Sequence, residues 1–420
     1  MKHLFSQMIP QRLKNIGYHF PLAVFAAIYF QFPARHLKVI GITGTNGKTT
    51  TAQFIAKILQ KSGKKIALAS TINFAIGDRK WTNSSKFTTL SAWKLQKFLR
   101  DAVDSRCEYA IIETSSHALD QYRVWGITYE VAVITNVTRE HLDYHRTMDA
   151  YRRAKRRLLE RANRVVVNLD MENPDEYLGV KNAPESISYS VEKCEADVHT
   201  EQLRLDSGGA SFMVQGREFQ IHLPGRYNVE NALASLAVAQ MFGIDFSVAG
   251  QALDELSGVP GRMESVSNTR GLHIFIDYAV TPDSLEKLYT LVTNMRSGDA
   301  RIVSVFGSCG ERDRGKRPIM GSIVSSYADI LILTNEDPYY EDPEQILDEI
   351  ERGISGKEKG KNYWRISDRR EAIAQALKVA RSGDWVIVTG KGAEETLAIG
   401  DERFPWNERA VIEEELAKIS

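Results

Sequence analysis

Short apolar runs alternate with segments of helical spacing along most of the chain. Leu37–Thr43 is a run of the kind a buried strand requires, and a glycine-rich turn follows it. From Thr49 to Ser62 apolar residues recur at Phe54, Ile55, Ile58 and Leu59, which is the spacing of one helix face. Gly63 stops that helix. Ala67–Ser70, Ala110–Ile112, Val131–Thr135 and Val165–Asn168 predict further strands, with helices over Ala92–Val103 and Met148–Ala162 between them. This rhythm is that of a parallel sheet covered by helices. Between Ala196 and Leu223 residues alternate around Gly208-Gly209, predicting a small antiparallel insertion with a hairpin. A helix is expected over Asn228–Phe242. Gly258-Val259-Pro260-Gly261 reads as a linker, and a second α/β series follows with strands at Ile274–Asp277, Ile302–Phe306, Ile330–Thr334 and Trp385–Thr389. Internal repeats and low-complexity tracts are absent.

Length and composition fit this picture. A chain of 420 residues exceeds one ordinary core and predicts two or three domains. Lysine plus arginine and aspartate plus glutamate each number 54, a balance that argues against a dedicated nucleic-acid binder. Cys107, Cys194 and Cys309 lie far apart with no CxxC pair, which fits a reduced, cytoplasmic setting rather than a disulfide framework or zinc ribbon. The apolar stretch His19–Phe32, preceded by Lys2, Arg12 and Lys14, falls short of the ~20 residues a spanning helix needs. No small-residue cleavage site follows it. The expectation is a helix packed on the protein; the alternative is a segment lying on a membrane surface, in contact with it or with a lipid-linked substrate.

Strand, glycine turn and helix in that order form the setting of a phosphate-binding loop, Gly44-Thr45-Asn46-Gly47-Lys48-Thr49-Thr50. Backbone N–H groups of the turn and helix start point at phosphates. Lys48 is expected to neutralise the β- and γ-phosphates of ATP and the Thr49 hydroxyl to hold Mg²⁺. The strict pattern has a glycine five positions before Gly47, where this chain has Ile42. Glu113 ends an apolar strand where a carboxylate faces the loop, and with Thr49 it suits one Mg²⁺. His141 follows another strand and suits a second; two such ions clamp attacking and transferred oxygens. Read alone, Lys155 sits among Arg152, Arg153, Arg156 and Arg157 as part of a solvated basic helix face.

The loop is one of an ordered series. Glu113-Thr-Ser-Ser-His-Ala-Leu119, Thr135-Asn-Val-Thr-Arg-Glu-His-Leu-Asp-Tyr-His145 and Lys155 follow it. Next come Gly225-Arg-Tyr-Asn-Val-Glu-Asn231, Gly261-Arg-Met-Glu264 and Asp277-Tyr-Ala-Val-Thr-Pro-Asp283. Phe306-Gly-Ser-Cys-Gly-Glu-Arg-Asp-Arg-Gly-Lys-Arg-Pro318 and Gly390-Lys-Gly-Ala-Glu394 complete it. From about Val39 to the C-terminus the chain resembles the Mur ligases, and among them the tripeptide-forming branch.

That resemblance implies an α/β protein: a P-loop-type central domain with a mainly parallel sheet over 37–259, including the insertion near 196–224, then a Rossmann-like C-terminal domain over 260–420. Residues 1–36 form the apolar helical segment. It implies an ADP-forming ligase that activates a peptide carboxylate as an acyl phosphate and joins it to an amino acid, expected to be a diamino acid. The partners implied are a muropeptide-type substrate and a free amino acid. Lys48, Glu113, His141 and Lys155 become the catalytic set, with Lys155 carbamylated by CO₂ so that an anion supports the second metal. Asn231, Arg262 and Asp277 are placed at the nucleotide, with Lys316 approaching the phosphates on domain closure. Thr88, Thr89, Ser115, Gln121 and Arg123 are placed at the peptide acceptor. Arg312, Glu336, Asp337, Tyr339, Gly390 and Glu394 are placed at the incoming amino acid.

The chain departs from the family in several places. Only about 37 residues precede the ATPase region, where the family usually carries a domain that holds uridine diphosphate. The diaminopimelate selector D-N-P-R is matched by Glu336-Asp337-Pro338-Tyr339, without the arginine that pairs with a second carboxylate. Val280 and Ala393 replace two family histidines, and Leu90 replaces a proline. The competing readings are a folylpolyglutamate- or cyanophycin-type ligase and a scaffold that binds nucleotide without ligating.

Overall fold

The computed structural model describes residues 10–85, 87–180 and 185–419. Nine strands form the first sheet: β1 (Lys38–Thr43), β2 (Ile66–Ala69), β3 (Asn73–Ile76), β4 (Arg79–Thr82), β5 (Tyr109–Glu113), β6 (Tyr129–Ile134), β7 (Ala162–Asn168), β8 (Glu185–Ser190) and β9 (Val198–His199). Their order is β4-β3-β2-β5-β1-β6-β7-β8-β9, parallel except for the β2–β3 and β3–β4 pairs. The phosphate-loop strand is therefore central, and its end lies between those of β5 and β6. Ile42 pairs with Glu113 on one side, and Thr43 pairs with Ile134 on the other. That register is what sets a carboxylate beside the loop.

Burial on both faces explains the composition of these strands. Val39, Ala110, Ala132 and Val165 point into one core, and Ile40, Ile111, Val131 and Val166 into the other. The helices Lys48–Lys61 and Arg226–Met241 fill the second core through Phe54, Ile58, Leu233 and Leu236.

Two expectations change here. The helix from Met148 ends at Leu159, and Ala162 already belongs to β7, where it pairs with Tyr129. Pairing with the neighbouring parallel strand outcompetes the alanine's helical preference. The insertion contributes a three-stranded antiparallel sheet, β10 (Leu203–Asp206), β11 (Gly209–Val214) and β12 (Arg217–Ile221), but Val198–His199 joins the large sheet instead.

A second sheet comprises β13 (Glu264–Val266), β14 (His273–Asp277), β15 (Ile302–Phe306), β16 (Ile330–Leu333), β17 (Tyr363–Arg365) and β18 (Trp385–Thr389), ordered β13-β14-β18-β15-β16-β17. Only the β13–β14 pair is antiparallel. This mixed α/β architecture matches the fold class expected from the sequence. The chain crosses between the sheets through 255–263, where a Val259–Arg262 bridge tightens the turn.

At the N-terminal end, the helix Phe20–Tyr29 buries Ala23, Ala26 and Ala27 and sets Phe20 edge-on to Tyr122 and Trp125. It packs on the protein as expected. Among the described residues no helix is long and apolar enough to cross a membrane.

Candidate active site

The phosphate loop is held by the segment after β6. Thr45 N–H donates to the Asn136 carbonyl and Asn46 N–H to the Asn136 side chain, both at 2.9 Å. The Thr135 hydroxyl donates to the Asn46 carbonyl at 2.6 Å. Gly47 has φ +85°, and a Cβ there would stand 2.3 Å from Asn231 Oδ1. Glycine is required by both conformation and space.

Lys48 Nζ donates to the carbonyls of Gly44 and Thr45 at 2.9 and 2.8 Å. Burial pushes its pKa down to about 8, with Glu113 opposing the shift. The Thr49 hydroxyl donates to Glu113 Oε2 at 3.1 Å, and Thr71 binds both carboxylate oxygens through its N–H (2.8 Å) and hydroxyl (2.9 Å). Glu113 is fully buried, and that desolvation raises its pKa. A buried carboxylate fixed beside a threonine hydroxyl at a phosphate loop is an oxygen donor set that fits Mg²⁺.

His141 has φ +58°, and its ring lies 4.6 Å from that of His117. His145 stands 5.5 Å from His117 and hydrogen-bonds Ser116 Oγ at 3.0 Å. Burial holds His141 well below the ordinary histidine value, and pushes His117 to about 3 and His145 to about 4. These rings are neutral at pH 7, the form that binds metals.

Lys155 overturns the reading of its helix as a uniformly solvated basic face. It is 1% exposed, whereas Arg153 is exposed and Arg152, Arg156 and Arg157 are half-buried. Four-residue spacing from Tyr151 and Leu159, and three-residue spacing from Leu158, turn it inward beside Ala154. Its amine lies 4.5 Å from the Tyr151 ring centroid, and burial, then Lys48, lowers its pKa strongly.

The acceptor candidates form a connected set behind Glu113. Thr89 Oγ1 donates to the Glu113 carbonyl at 2.9 Å and accepts from Ser115 N–H at 2.9 Å. Arg123 donates to the Thr89 carbonyl (3.1 Å) and Gln121 Oε1 (2.8 Å). Thr88 and Thr71 line one cleft together.

That cleft has a volume of about 270 Å³ and lies between the two sheets. Arg262 reaches across to donate to Thr49 Oγ1 at 3.3 Å and packs over the Tyr278 ring. Asn46 donates to Asp283 at 2.7 Å. Asp277 is half-buried at the end of β14, accepts from Met263 N–H at 2.8 Å, and has its pKa raised by desolvation. Lys316 pairs with Glu140 at 3.0 Å and donates to the Val280 carbonyl at 2.8 Å.

The amino-acid candidates gather at the far end of the cleft. Arg312 lies 5.7 Å from the Tyr339 ring centroid. Asp337 and Glu394 share Lys391, at 2.9 and 2.6 Å. Glu336 accepts from Cys309 Sγ at 2.8 Å, and its Oε2 is buried with no hydrogen-bond partner among the described residues. Gly390 adopts φ +109° directly beneath it. Sequence reasoning missed Glu140, Tyr278, Cys309 and the buried Lys391. Glu140 and Lys391 stood inside quoted motifs, so a charged residue flanked by glycine or histidine was the available signal.

A phosphate loop with a fixed carboxylate, met from the second sheet's unit by Arg262 at Thr49 and by Lys316 at Glu140, defines a nucleotide-dependent enzyme that works across two units. Family models for the Mur ligase middle domain and the Mur ligase, glutamate ligase domain match residues 42–239 and 261–392. The chain is 37% identical to a UDP-N-acetylmuramoyl-L-alanyl-D-glutamate–2,6-diaminopimelate ligase of Clostridium botulinum, covering 95% of this chain and 82% of that one. It is 38% identical to a UDP-N-acetylmuramyl-tripeptide synthetase of Roseiflexus, covering 95% and 82%. A solved diaminopimelate ligase of the same description superposes with TM-score 0.61 at 34% identity over 91% of this chain and 79% of that one. A folylpolyglutamate synthase of Mycobacterium tuberculosis shares the fold (TM-score 0.72, 18% identity, 88% and 91% covered). The chain belongs to the Mur ligase family. It is an ADP-forming amide ligase, and the family uses ATP and Mg²⁺.

Proposed function

We propose that the protein adds a diamino acid to the peptide of a peptidoglycan precursor, and that the residues above divide the work as follows. The observation that carries this reading is the cleft itself: the phosphate loop at one end, the carboxylate-rich pocket at the other, and the Thr89–Arg123 set beside Glu113. Residues 37–259 act as the nucleotide domain and 260–420 as the amino-acid domain.

Lys48 and the loop N–H groups bind the phosphates of ATP, and Arg262 reaches them from the opposite side. Asn231 and Asp277 hold the nucleotide between the domains. Thr89, Ser115, Gln121 and Arg123 orient the acceptor peptide. Its carboxylate oxygen attacks the γ-phosphorus, the bond to ADP breaks, and an acyl phosphate forms. The amine then attacks the acyl carbon, and the tetrahedral intermediate expels phosphate with loss of the amine's proton. Mg²⁺ ions supply positive charge to these phosphoryl oxygens; Thr49 and Glu113 would hold one, and His141 with Lys155 a second. Lys155 suits carbamylation because burial favours its neutral amine, which adds CO₂ and releases one proton.

Glu336, with an unpartnered buried oxygen, suits the distal ammonium of a diamino acid, with Glu394 and Tyr339 beside it. Tyr339 in place of the selector arginine favours lysine or ornithine over diaminopimelate. A cytoplasmic location is supported by three free cysteines and by ATP as substrate.

The test is a phosphate-release screen crossing muropeptide acceptors with lysine, ornithine, diaminopimelate and glutamate. Release with a muropeptide and a diamino acid, absent in Lys48→Ala at unchanged circular dichroism, is the expected result. Release only with a folate acceptor and glutamate, or none despite ATP binding, refutes the reading.

A further inference from the structure

The N-terminal helical segment hides one face and displays another. Of the twelve large hydrophobic residues exposed among those described, six lie between Leu13 and Tyr29. Tyr18, Phe25, Ile28 and Tyr29 are each more than half exposed, and spacings of seven, three and one put them on one side of the helix. Trp93, half-buried on the neighbouring helix, extends this surface by stacking on Phe25 and packing against Tyr29 and Phe30. The alanine face is already used against the protein. The aromatic face therefore lies outward on a helix that is itself firmly seated.

Its charge is one-sided. Residues 1–77 contain no aspartate or glutamate, and the segment before β1 carries Lys2, Arg12, Lys14 and Arg35. Arg12, Arg35 and Lys94 are exposed around the described part of the apolar face. An apolar stripe with aromatic rings, bordered by Arg12, Arg35 and Lys94, complements an anionic lipid surface. A second protein copy would bring the same positive charge against it.

The position of this face relates it to the cleft. Asn15 Nδ2 donates to Asp120 at 2.7 Å and to Tyr144 OH at 3.4 Å. Tyr122, on which Phe20 packs, lies between Gln121 and Arg123. The segment thus rests on the loop that presents the acceptor-binding arginine.

We propose that this face seats on an anionic membrane and that the acceptor is a muropeptide carried in that membrane by a lipid anchor. The second half rests on the ligase reading above; the first does not. Sitting at the surface, the segment brings the Gln121–Arg123 loop within reach of a peptide projecting from the bilayer.

The experiment uses the full chain and vesicles of phosphatidylcholine with or without phosphatidylglycerol. Flotation with the anionic vesicles is expected, falling at least roughly tenfold in Phe25→Glu/Ile28→Glu and in Arg12→Glu/Lys14→Glu. The Phe25→Glu/Ile28→Glu variant is expected to turn over a soluble muropeptide as wild type does, but to lose at least roughly tenfold on the same peptide coupled to a long-chain acyl anchor in the vesicles. Absent flotation, or flotation indifferent to both variants, overturns the membrane seat. So does a concentration-dependent dimer that Phe25→Glu/Ile28→Glu abolishes without any flotation, which assigns the face to a second copy. Equal turnover of the two acceptors by wild type and variant overturns the anchored acceptor. No turnover on either acceptor sinks the muropeptide reading, and flotation still decides the membrane seat.

Discussion

Lys316 and Glu140 are 176 residues apart, lie on connections of different sheets, and meet at 3.0 Å with side chains 5% and 6% exposed. Replacing Lys316 with methionine keeps the length and removes the charge. Glu140 then stays buried with no cation; its second oxygen already lacks a hydrogen-bond partner among the described residues, and burial already raises its pKa. Leaving one member of a buried pair uncompensated costs roughly 3–5 kcal/mol. Because the contact exists only while the sheets are together, that cost falls on the closed arrangement. At about 1.4 kcal/mol per factor of ten, kcat/KM should drop by roughly a hundredfold to a few thousandfold. Glu140→Gln, which strands the lysine, should do similar damage. The double variant Lys316→Met/Glu140→Gln leaves no isolated charge and should recover most of the loss. The assay is a double-mutant cycle in kcat/KM, with small-angle scattering of each protein to follow separation of the two sheets. If the two single losses add to within about 0.5 kcal/mol, or the single variants scatter like wild type, the pair does not govern closure.

Three other perturbations test separate parts of the site and fold. Lys155→Ala should reduce turnover by at least about a hundredfold, with partial recovery in added short-chain carboxylate; wild-type activity would rule out the carbamate. Gly47→Ala places a methyl group 2.3 Å from Asn231 Oδ1 at φ +85°, so nucleotide affinity by calorimetry should fall about tenfold or more, and unchanged affinity would contradict the loop geometry. Arg369 and Glu408 form a pair 1% and 0% exposed, with Trp406 Nε1 also donating to Glu408 at 2.7 Å. Glu408→Ala should therefore destabilise the second sheet's unit by about 3–5 kcal/mol in urea unfolding, and a loss under 1 kcal/mol would show that the pair is replaceable.

Most strands were legible because both faces of these sheets are buried, so β1, β5, β6 and β15 appear as short apolar runs without need of alternation. The β3–β4 hairpin was not legible: Arg79 and Lys80 are exposed, and Gly77-Asp78 was its only local signal. The phosphate loop could be read because its chemistry is contiguous in sequence. Lys155 could not, since a lysine among four arginines gives no sign of which side chain turns inward. Lys391–Asp337 and Lys316–Glu140 were hidden for a related reason. Each charge looks solvated until a partner 54 or 176 residues away is brought against it by topology.

The crossover at Gly258–Gly261 also has a mechanical meaning. It adjoins Arg262, whose guanidinium already touches Thr49. Any swing about this crossover is a lever whose short arm carries Arg262 and whose long arm carries Arg312, Lys316 and Glu336. Points near a pivot travel little, and distant ones travel far. On the roles proposed above, contacts to the nucleotide phosphates would persist through such a stroke, while the pocket for the incoming amino acid would be taken apart and rebuilt. Such a lever would let the nucleotide settle first and the amino acid last, an order set by the place where the chain crosses.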